Sequence, residues 1–226
     1  MAENQQDQDQ VVQEAIGKAE DFIQNNRKSL GIIVGALVLA VGGYLFYQKV
    51  YVAGKEQEAQ TLLFHAEQYF KNDSIKLAIN GDGNHPGFEE IANDYSVSPS
   101  GNLAKYYLGM SYMKAKQYDM AIETLKGYEA NDELTGCLAL GAIGDAYMEQ
   151  NNTEEAISYY QKAAKENPNN FSTPIMLMKL AGAYELKADY KEAISIYERL
   201  RNDYPTSTEA SQADKYIARA STLAGE

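Results

Sequence analysis

The sequence contains few of the residues from which catalytic and metal sites are usually built. Cys137 is the only cysteine, so the chain can form neither an internal disulfide bond nor a multi-cysteine metal site. The two histidines, His65 and His85, are too few for most zinc sites and are not spaced like ligands. Glycine-rich phosphate loops and the HExxH and GxSxG motifs are also missing. These absences predict no cofactor, no metal ion, no small-molecule substrate and no catalytic activity.

Basic residues are also scarce, with 20 lysines and arginines against 32 aspartates and glutamates and a formal net charge of −12. A surface of this sign repels the phosphate backbone of a nucleic acid. The composition therefore predicts that the chain does not bind DNA or RNA.

Charged residues are missing entirely from one stretch near the N-terminus, between Lys28 and Lys49. Its apolar part, residues 30–47, is 18 residues long, which is close to the minimum for a helix that crosses a bilayer core of roughly 30 Å. The stretch begins too far into the chain for a signal peptide and has no small-residue cleavage site after it. A buried core helix would rarely be uncharged on every side for this length. We therefore predict a transmembrane helix over residues 30–48.

The basic residues near this stretch are more numerous on its N-terminal side. Lys18, Arg27 and Lys28 precede it, whereas Lys49 and Lys55 follow it. Because positive residues favour the cytoplasmic side, the pattern predicts a cytoplasmic N-terminus and an exported C-terminal domain. In a bacterium with two membranes, that domain would lie in the periplasm.

Two features suggest contacts of the N-terminal region with a partner. Gly31 and Gly35 are four residues apart, a spacing that lets two membrane helices approach closely, although glycine is common in membrane helices in general. Residues 1–29 are predicted to be a polar tail with an amphipathic helix, which would lie on the membrane or pack on a partner. Its apolar positions recur at helical spacing: Val12, Ile16, Ala19 and Ile23.

From Asn102 onward the sequence repeats itself. Windows that start at Asn102, Cys137 and Pro174 share a small residue at the eighth position, tyrosine at the eleventh and alanine at the twentieth. Small residues let two helices approach closely, and tyrosine fills the space beside them. The residues are, in order of position, Gly109, Gly144 and Ala181; Tyr112, Tyr147 and Tyr184; Ala121, Ala156 and Ala193. The pattern resembles the tetratricopeptide repeat (TPR) family, which implies stacked helical hairpins of about 34 residues.

We therefore predict an all-α fold, in which the transmembrane helix is followed by a TPR α-solenoid. Residues 56–100 would form a degenerate repeat, with helices near 56–70 and 88–95 and a long loop between them. The pair Asp82 and Asn84 in this loop lacks the spacing of a calcium site and predicts a turn. The remaining predicted units are three clear repeats at 102–136, 137–173 and 174–207 and a capping helix at 208–226.

The usual binding groove of a TPR domain is lined by the first helix of each repeat. The resemblance projects this groove onto ten positions, rich in methionine and aromatic residues and with acids at the edge. They are Leu103, Tyr106, Met110, Met113, Leu138, Asp145, Met148, Ile175, Met178 and Glu185. Methionine suits adaptable apolar binding, so the groove is predicted to bind hydrophobic or weakly basic peptides. The alternative is that methionine and tyrosine at helical spacing simply form core.

The whole arrangement resembles the YfgM-type proteins of the bacterial inner membrane. The resemblance covers most of the chain and is most specific around Gly87-Phe88, Asp94-Tyr95 and the segment 101–107. It implies an accessory subunit of the SecYEG translocon, with a periplasmic TPR domain beside a chaperone-like foldase or an exported chain. The alternatives are a scaffold for cell division or envelope assembly, a cytosol-facing import or fission adaptor and, least of all, a regulatory enzyme subunit.

Overall fold

The computed structural model describes the backbone of residues 2–132 and 134–225, and the side chains of residues 16–18, 20, 22–132 and 134–225. Its chain divides into two compact units, one that ends at Gly54 and one that begins at Lys55. Regular secondary structure in the described part is helical throughout, without strands.

The first unit consists of helix α1 (Ala2–Phe46) and a π-helical segment (Tyr47–Val52). It contains one helix long and apolar enough to cross a membrane, with an 18-residue window of mean hydropathy 2.2 and none of that window buried. The predicted amphipathic segment and the predicted span lie in this one helix. Ile16 and Ile23 of the amphipathic segment are exposed. Val12 and Ala19 lie outside the described side chains.

The second unit consists of helices joined by short turns. Its helices are α2 (Ala53–Lys71), α3 (Ile75–Asn80), α4 (Phe88–Asp94), α5 (Pro99–Lys114), α6 (Tyr118–Lys126), α7 (Thr135–Glu149), α8 (Thr153–Lys165), α9 (Ser172–Leu186), α10 (Tyr190–Asp203), a 3-10 turn (Ala210–Gln212) and α11 (Ala213–Ala224). The pairs α5/α6, α7/α8 and α9/α10 form the three hairpins, and each packs against the next. The predicted all-α solenoid is therefore confirmed.

Each hairpin closes through a small residue at the eighth position of the repeat. A Cβ built on Gly109 would lie 2.5 Å from Cγ of Leu125, and one built on Gly144 would lie 2.5 Å from the ring of Tyr160. Both partners occupy the twenty-fourth position, on the second helix. The third repeat has Ala181 at the eighth position, buried in one cluster with Tyr197. The small residue thus sets how closely the two helices approach.

The turn within each hairpin is the same in all three repeats. The fifteenth residue has a positive φ of 58–59° although it is never glycine; it is Lys116, Asn151 or Ala188. The next residue donates its N–H to the carbonyl of the tyrosine at position eleven, at 2.8–3.0 Å. This hydrogen bond ends the first helix and fixes the direction of the second.

The degenerate repeat has the same turn. Asp73 has a φ of 58°, and the N–H of Ser74 donates to the carbonyl of Tyr69 at 2.8 Å. Counting from this turn places Ala66 and Ala78, both fully buried, at the eighth and twentieth positions. Helices α2 and α3 are therefore a hairpin in register with the other three.

The second helix of this hairpin is interrupted. It stops at Asn80, and the chain resumes a helical course only at Phe88, in α4, which packs against α5. The predicted helix near 88–95 is thus the second of two short helices, and α3 was not anticipated. The loop between them hides the repeat in the sequence because it separates the two halves of the second helix.

Asp82 closes this loop through local hydrogen bonds. Its Oδ1 accepts from the backbone N–H groups of Asn84 and His85, at 2.9 and 2.7 Å, and its Oδ2 accepts from the Tyr69 hydroxyl at 2.8 Å. These bonds, chiefly that from His85, lower the pKa of Asp82 to about 2. The segment is a turn, as predicted, and it is held by the carboxylate that resembled a calcium ligand.

The N-terminus of α5 is satisfied by a side chain from α2. Ser98 caps the helix by accepting the N–H of Gly101, and Glu56 accepts both the N–H and the hydroxyl of Ser100, each at 2.7 Å. The Glu56 carboxylate lies at the positive end of the helix dipole, where negative charge is stabilising. It joins the degenerate repeat to the first clear repeat.

The helix spacing in the second repeat can be tested by adding bulk at Gly144. Changing Gly144→Val forces the new side chain into Tyr160, so we expect the free energy of unfolding to fall by about 1–3 kcal/mol. Gly182→Val in α9 is the matched control, because nothing lies within 4 Å of a Cβ built there. Urea unfolding of the full chain in mild detergent, followed by circular dichroism, measures both. Equal stability of the two variants would contradict this account.

The closure of the loop by Asp82 predicts a pH dependence. The folded pKa lies below the usual value of about 3.9, so the stabilisation is present above pH 4 and is lost as the pH falls towards 2. Asp82→Ala should therefore lower the melting temperature at neutral pH. The difference from the wild type should close between pH 4 and pH 2, and a difference that persists at pH 2 would rule out the mechanism.

Candidate protein-binding surface

The ten predicted groove residues lie on the first helices of the three clear repeats. Four are on α5, three on α7 and three on α9, and all ten are half-buried. Consecutive first helices also contact one another, α5 with α7 and α7 with α9. We call the surface formed by α5, α7 and α9 the first-helix face.

Most apolar members of this set also pack into the core. Leu103 contacts the cluster around α4 and α5, Met110 contacts the cluster between α6 and α7, and Met178 contacts the cluster around α9 and α10. Each side chain thus contributes one side to the interior and one to the surface. These positions therefore pack into the core on one side, and their role as a groove stays a prediction.

Two of the predicted groove residues line separate clefts. Leu103 lines a cleft of about 230 Å³ at the N-terminus of α5, and Glu185 lines another, of about 500 Å³, beside α11. The ten residues are therefore spread along the face. Such a surface suits an extended partner more than a compact ligand.

Asp145 is engaged by groups of the protein itself. Its carboxylate accepts from the Lys179 ammonium at 2.8 and 2.6 Å and from the Tyr160 hydroxyl at 2.7 Å. Burial, and then the negative charge of Asp145, raise the pKa of Tyr160 far above its usual value, so this hydroxyl remains a donor. A basic ligand could bind Asp145 only by competing with Lys179.

Glu185 is neutralised in a similar way. Arg219 of α11 donates to its Oε2, and the side chain is 13% exposed. Its Oε1 is buried and has no hydrogen-bond partner among the described residues. Burial, and then the negative charge of Glu185, raise the pKa of Tyr197. Both acids of the predicted groove are therefore paired, which leaves a face that is mainly apolar.

These pairs belong to a series that links successive repeats. Lys114 donates to Asp73 at 2.8 Å, and its ammonium lies 5.0 Å from the ring centroid of Phe70. With Asp145–Lys179 and Glu185–Arg219, this pair joins the degenerate repeat to the first clear repeat, the second clear repeat to the third, and the third to α11. Sequence reasoning missed the series, although Asp145–Lys179 and Glu185–Arg219 each have a separation of 34 residues, one repeat length.

An aromatic cluster at the N-terminal end of the solenoid was also missed. Tyr107 stacks on Phe88 with centroids 5.3 Å apart, and it contacts Phe70 and Tyr106 edge-on at 5.7 and 5.6 Å. Phe64, on α2, is 59% exposed.

The remaining predicted residues have plain surroundings. Gly31 and Gly35 have nothing within 4 Å of a built Cβ, so the structure leaves that face of α1 open. Cys137 is buried, and burial raises the pKa of its thiol, which is therefore neutral. Within the described residues, no three His, Cys, Asp or Glu side chains are grouped to hold a metal ion.

Stacked hairpins with small residues at the helix crossing and tyrosine at the turn define a TPR solenoid. Comparison with known families agrees: residues 103–131, 137–170 and 176–207 each match a tetratricopeptide repeat model. Three segments of the chain thus match tetratricopeptide repeats, and such repeats indicate a protein–protein interaction module.

The individual relatives support the presence of tetratricopeptide repeats and do not indicate a more specific function. The chain is 31% identical over 128 residues to tetratricopeptide repeat protein 29 of Macaca fascicularis, an alignment that covers 53% of this chain and 26% of the relative. The human protein of that name is 30% identical over 118 residues, covering 49% and 25%. The chain thus spans about a quarter of the length of these relatives.

Solved structures show the same fold. The TPR-like repeats of a kinesin light chain candidate from Podosopora anserina align with a TM-score of 0.58 and 17% identity, covering 75% of this chain and 88% of that one. MamA protein aligns with a TM-score of 0.55 and 20% identity, covering 74% and 82%.

The Asp145–Lys179 pair can be tested by a double-mutant cycle. The two side chains are each 35% exposed, and we expect Asp145→Asn and Lys179→Met to show a coupling energy of about 1 kcal/mol in urea unfolding. The control cycle uses Glu154→Gln and Lys187→Met, whose side chains are 81% and 40% exposed, and should give about 0.3 kcal/mol. Equal coupling in both cycles would contradict a structural role for Asp145.

Proposed function

We propose that the chain is a membrane-anchored protein-interaction module that acts as an accessory subunit of the SecYEG translocon. Helix α1 anchors it in a bacterial inner membrane, with the N-terminus in the cytoplasm and the TPR solenoid in the periplasm. The solenoid binds a periplasmic foldase or chaperone, or an exported chain as it emerges. It has no catalytic role of its own.

One observation carries the proposal: a helix with an unburied, apolar and uncharged stretch precedes a TPR solenoid in the same chain. The 18-residue apolar window in α1 would be costly to leave in water and suits the bilayer core. The excess of basic residues before this window favours the proposed orientation. The translocon as partner rests on the resemblance to YfgM-type proteins.

The first-helix face supplies the binding surface in this proposal. Its acids are paired with Lys179 and Arg219, so its main attraction is for apolar side chains. Met110 and Met178 are unbranched and adapt to different partners, as a protein that binds many exported chains requires. Gly31 and Gly35 leave a flat side of α1 for packing against another membrane helix.

A TPR scaffold for cell division or envelope assembly shares each of these features and differs only in its partner. A cytosol-facing import or fission adaptor would need the opposite orientation in the membrane. A reporter enzyme fused to the C-terminus, active only in one compartment, distinguishes the two orientations.

The choice of partner is tested by purification of the tagged full chain in mild detergent, with α1 intact or with residues 30–48 replaced by an unrelated transmembrane helix. We expect SecYEG components to co-purify with the native helix and to be lost with the replacement. Recovery of division or envelope-assembly proteins without the translocon would overturn the proposal.

The binding face is tested with the double variant Met110→Gln/Met178→Gln and with a control variant. The two substitutions keep the side-chain length but remove the apolar surface, so we expect the yield of co-purified partner to fall about tenfold. Met120→Gln on α6 is the control, since Met120 is 43% exposed and lies on a second helix. A partner yield unchanged by the double variant, with the fold intact by circular dichroism, would exclude this face.

A further inference from the structure

A cleft outside the set of ten predicted groove residues opens beside the second helices of the first two clear repeats. It lies between α6, α7 and α8, has a volume of about 340 Å³, and includes none of the ten predicted groove residues. Its floor is apolar and is built from Leu125, Ala139, Leu140 and Ile143. The volume is at the lower end of the range for ligand pockets.

Two lysines line this cleft, and the ammonium groups of both lie near the ring of Tyr159. The ammonium of Lys162 lies 4.2 Å from the ring centroid of Tyr159, and that of Lys126 lies 5.5 Å from the same centroid. Lys126 also donates to the hydroxyl of Tyr147 at 3.0 Å, which holds its side chain in place. Each ammonium is therefore positioned by tyrosine.

Neither lysine forms an ion pair with a carboxylate in the described part of the chain, unlike Lys114 of α5, Lys179 of α9 and Arg219 of α11. The charged residues that line the cleft are Lys126, Lys162 and Glu166, an excess of one positive charge in a protein of net charge −12. Two like charges held beside one ring repel each other, and a bound carboxylate would relieve that repulsion.

We propose that this cleft is a second binding site, which takes a peptide segment with an acidic side chain next to an apolar one. The carboxylate lies between Lys126 and Lys162, and the apolar side chain rests on Leu140 and Ile143. Charge complementarity identifies this occupant, because a neutral or basic peptide would leave the one excess positive charge of the cleft unmatched.

The site is independent of the partner proposed for the first-helix face. A chain could bind one protein on its first helices and an acidic segment of another on its second helices. Exposed ion pairs contribute little affinity individually, so binding requires both lysines together with the half-buried Leu140, and the lysines supply the selectivity.

The test is selection of a random twelve-residue peptide phage library on the full chain in mild detergent, in parallel with the variant Lys126→Met/Lys162→Met. We expect peptides with adjacent acidic and apolar residues to be enriched on the wild type. Synthetic copies of them should bind the variant about tenfold more weakly. Their affinity for the wild type should fall with added salt, because the lysines are exposed.

The matched control is Lys191→Met/Lys215→Met, which removes the same charge from α10 and α11. Enrichment of no peptide, enrichment without acidic residues, or equal loss of binding in the control would overturn the proposal. Concentration-dependent self-association that disappears only in Lys126→Met/Lys162→Met would identify a second copy of the chain as the occupant and would also overturn it. None of these outcomes depends on whether SecYEG co-purifies.

Discussion

The close crossing of two helices within each repeat is the constraint on which the solenoid depends. Gly109 and Gly144 leave no room for a side chain, because Leu125 and Tyr160 fill the space where a Cβ would lie. With the helices this near, the alanine at the twentieth position of each repeat is fully buried, and the tyrosine at the eleventh lies beside the turn. Helix spacing, turn geometry and the stacking of the next repeat all follow from this contact.

The charged side chains on the first-helix face have a structural role that changes how the face is interpreted. Asp145 and Glu185, viewed as single residues, suggest attraction for a basic partner. In the structure each is paired with a base about one repeat later in the chain, Lys179 and Arg219. What remains exposed is the methionine and aromatic surface between these pairs, which favours an apolar partner.

Residue pattern was enough to predict the three clear repeats, because small, tyrosine and alanine positions recur in the same register in each. The same pattern exists in the degenerate repeat at Ala66, Tyr69 and Ala78. The loop around Asp82 conceals this pattern because it interrupts the second helix of that repeat. The ion pairs and the cleft between α6 and α8 depend on side-chain directions across two repeats, which one-dimensional spacing does not give. Partner identity has no local signature at all, since the repeat serves many partners.

The ion pairs and helix contacts reach only from one repeat to the next. In a stack joined in this way, the effect of a local change weakens with each further repeat. Helix α11 is held by its packing on α10 and by the Arg201–Asp214 and Arg219–Glu185 pairs. A change at one repeat therefore reaches a distant repeat only through the repeats that lie between them.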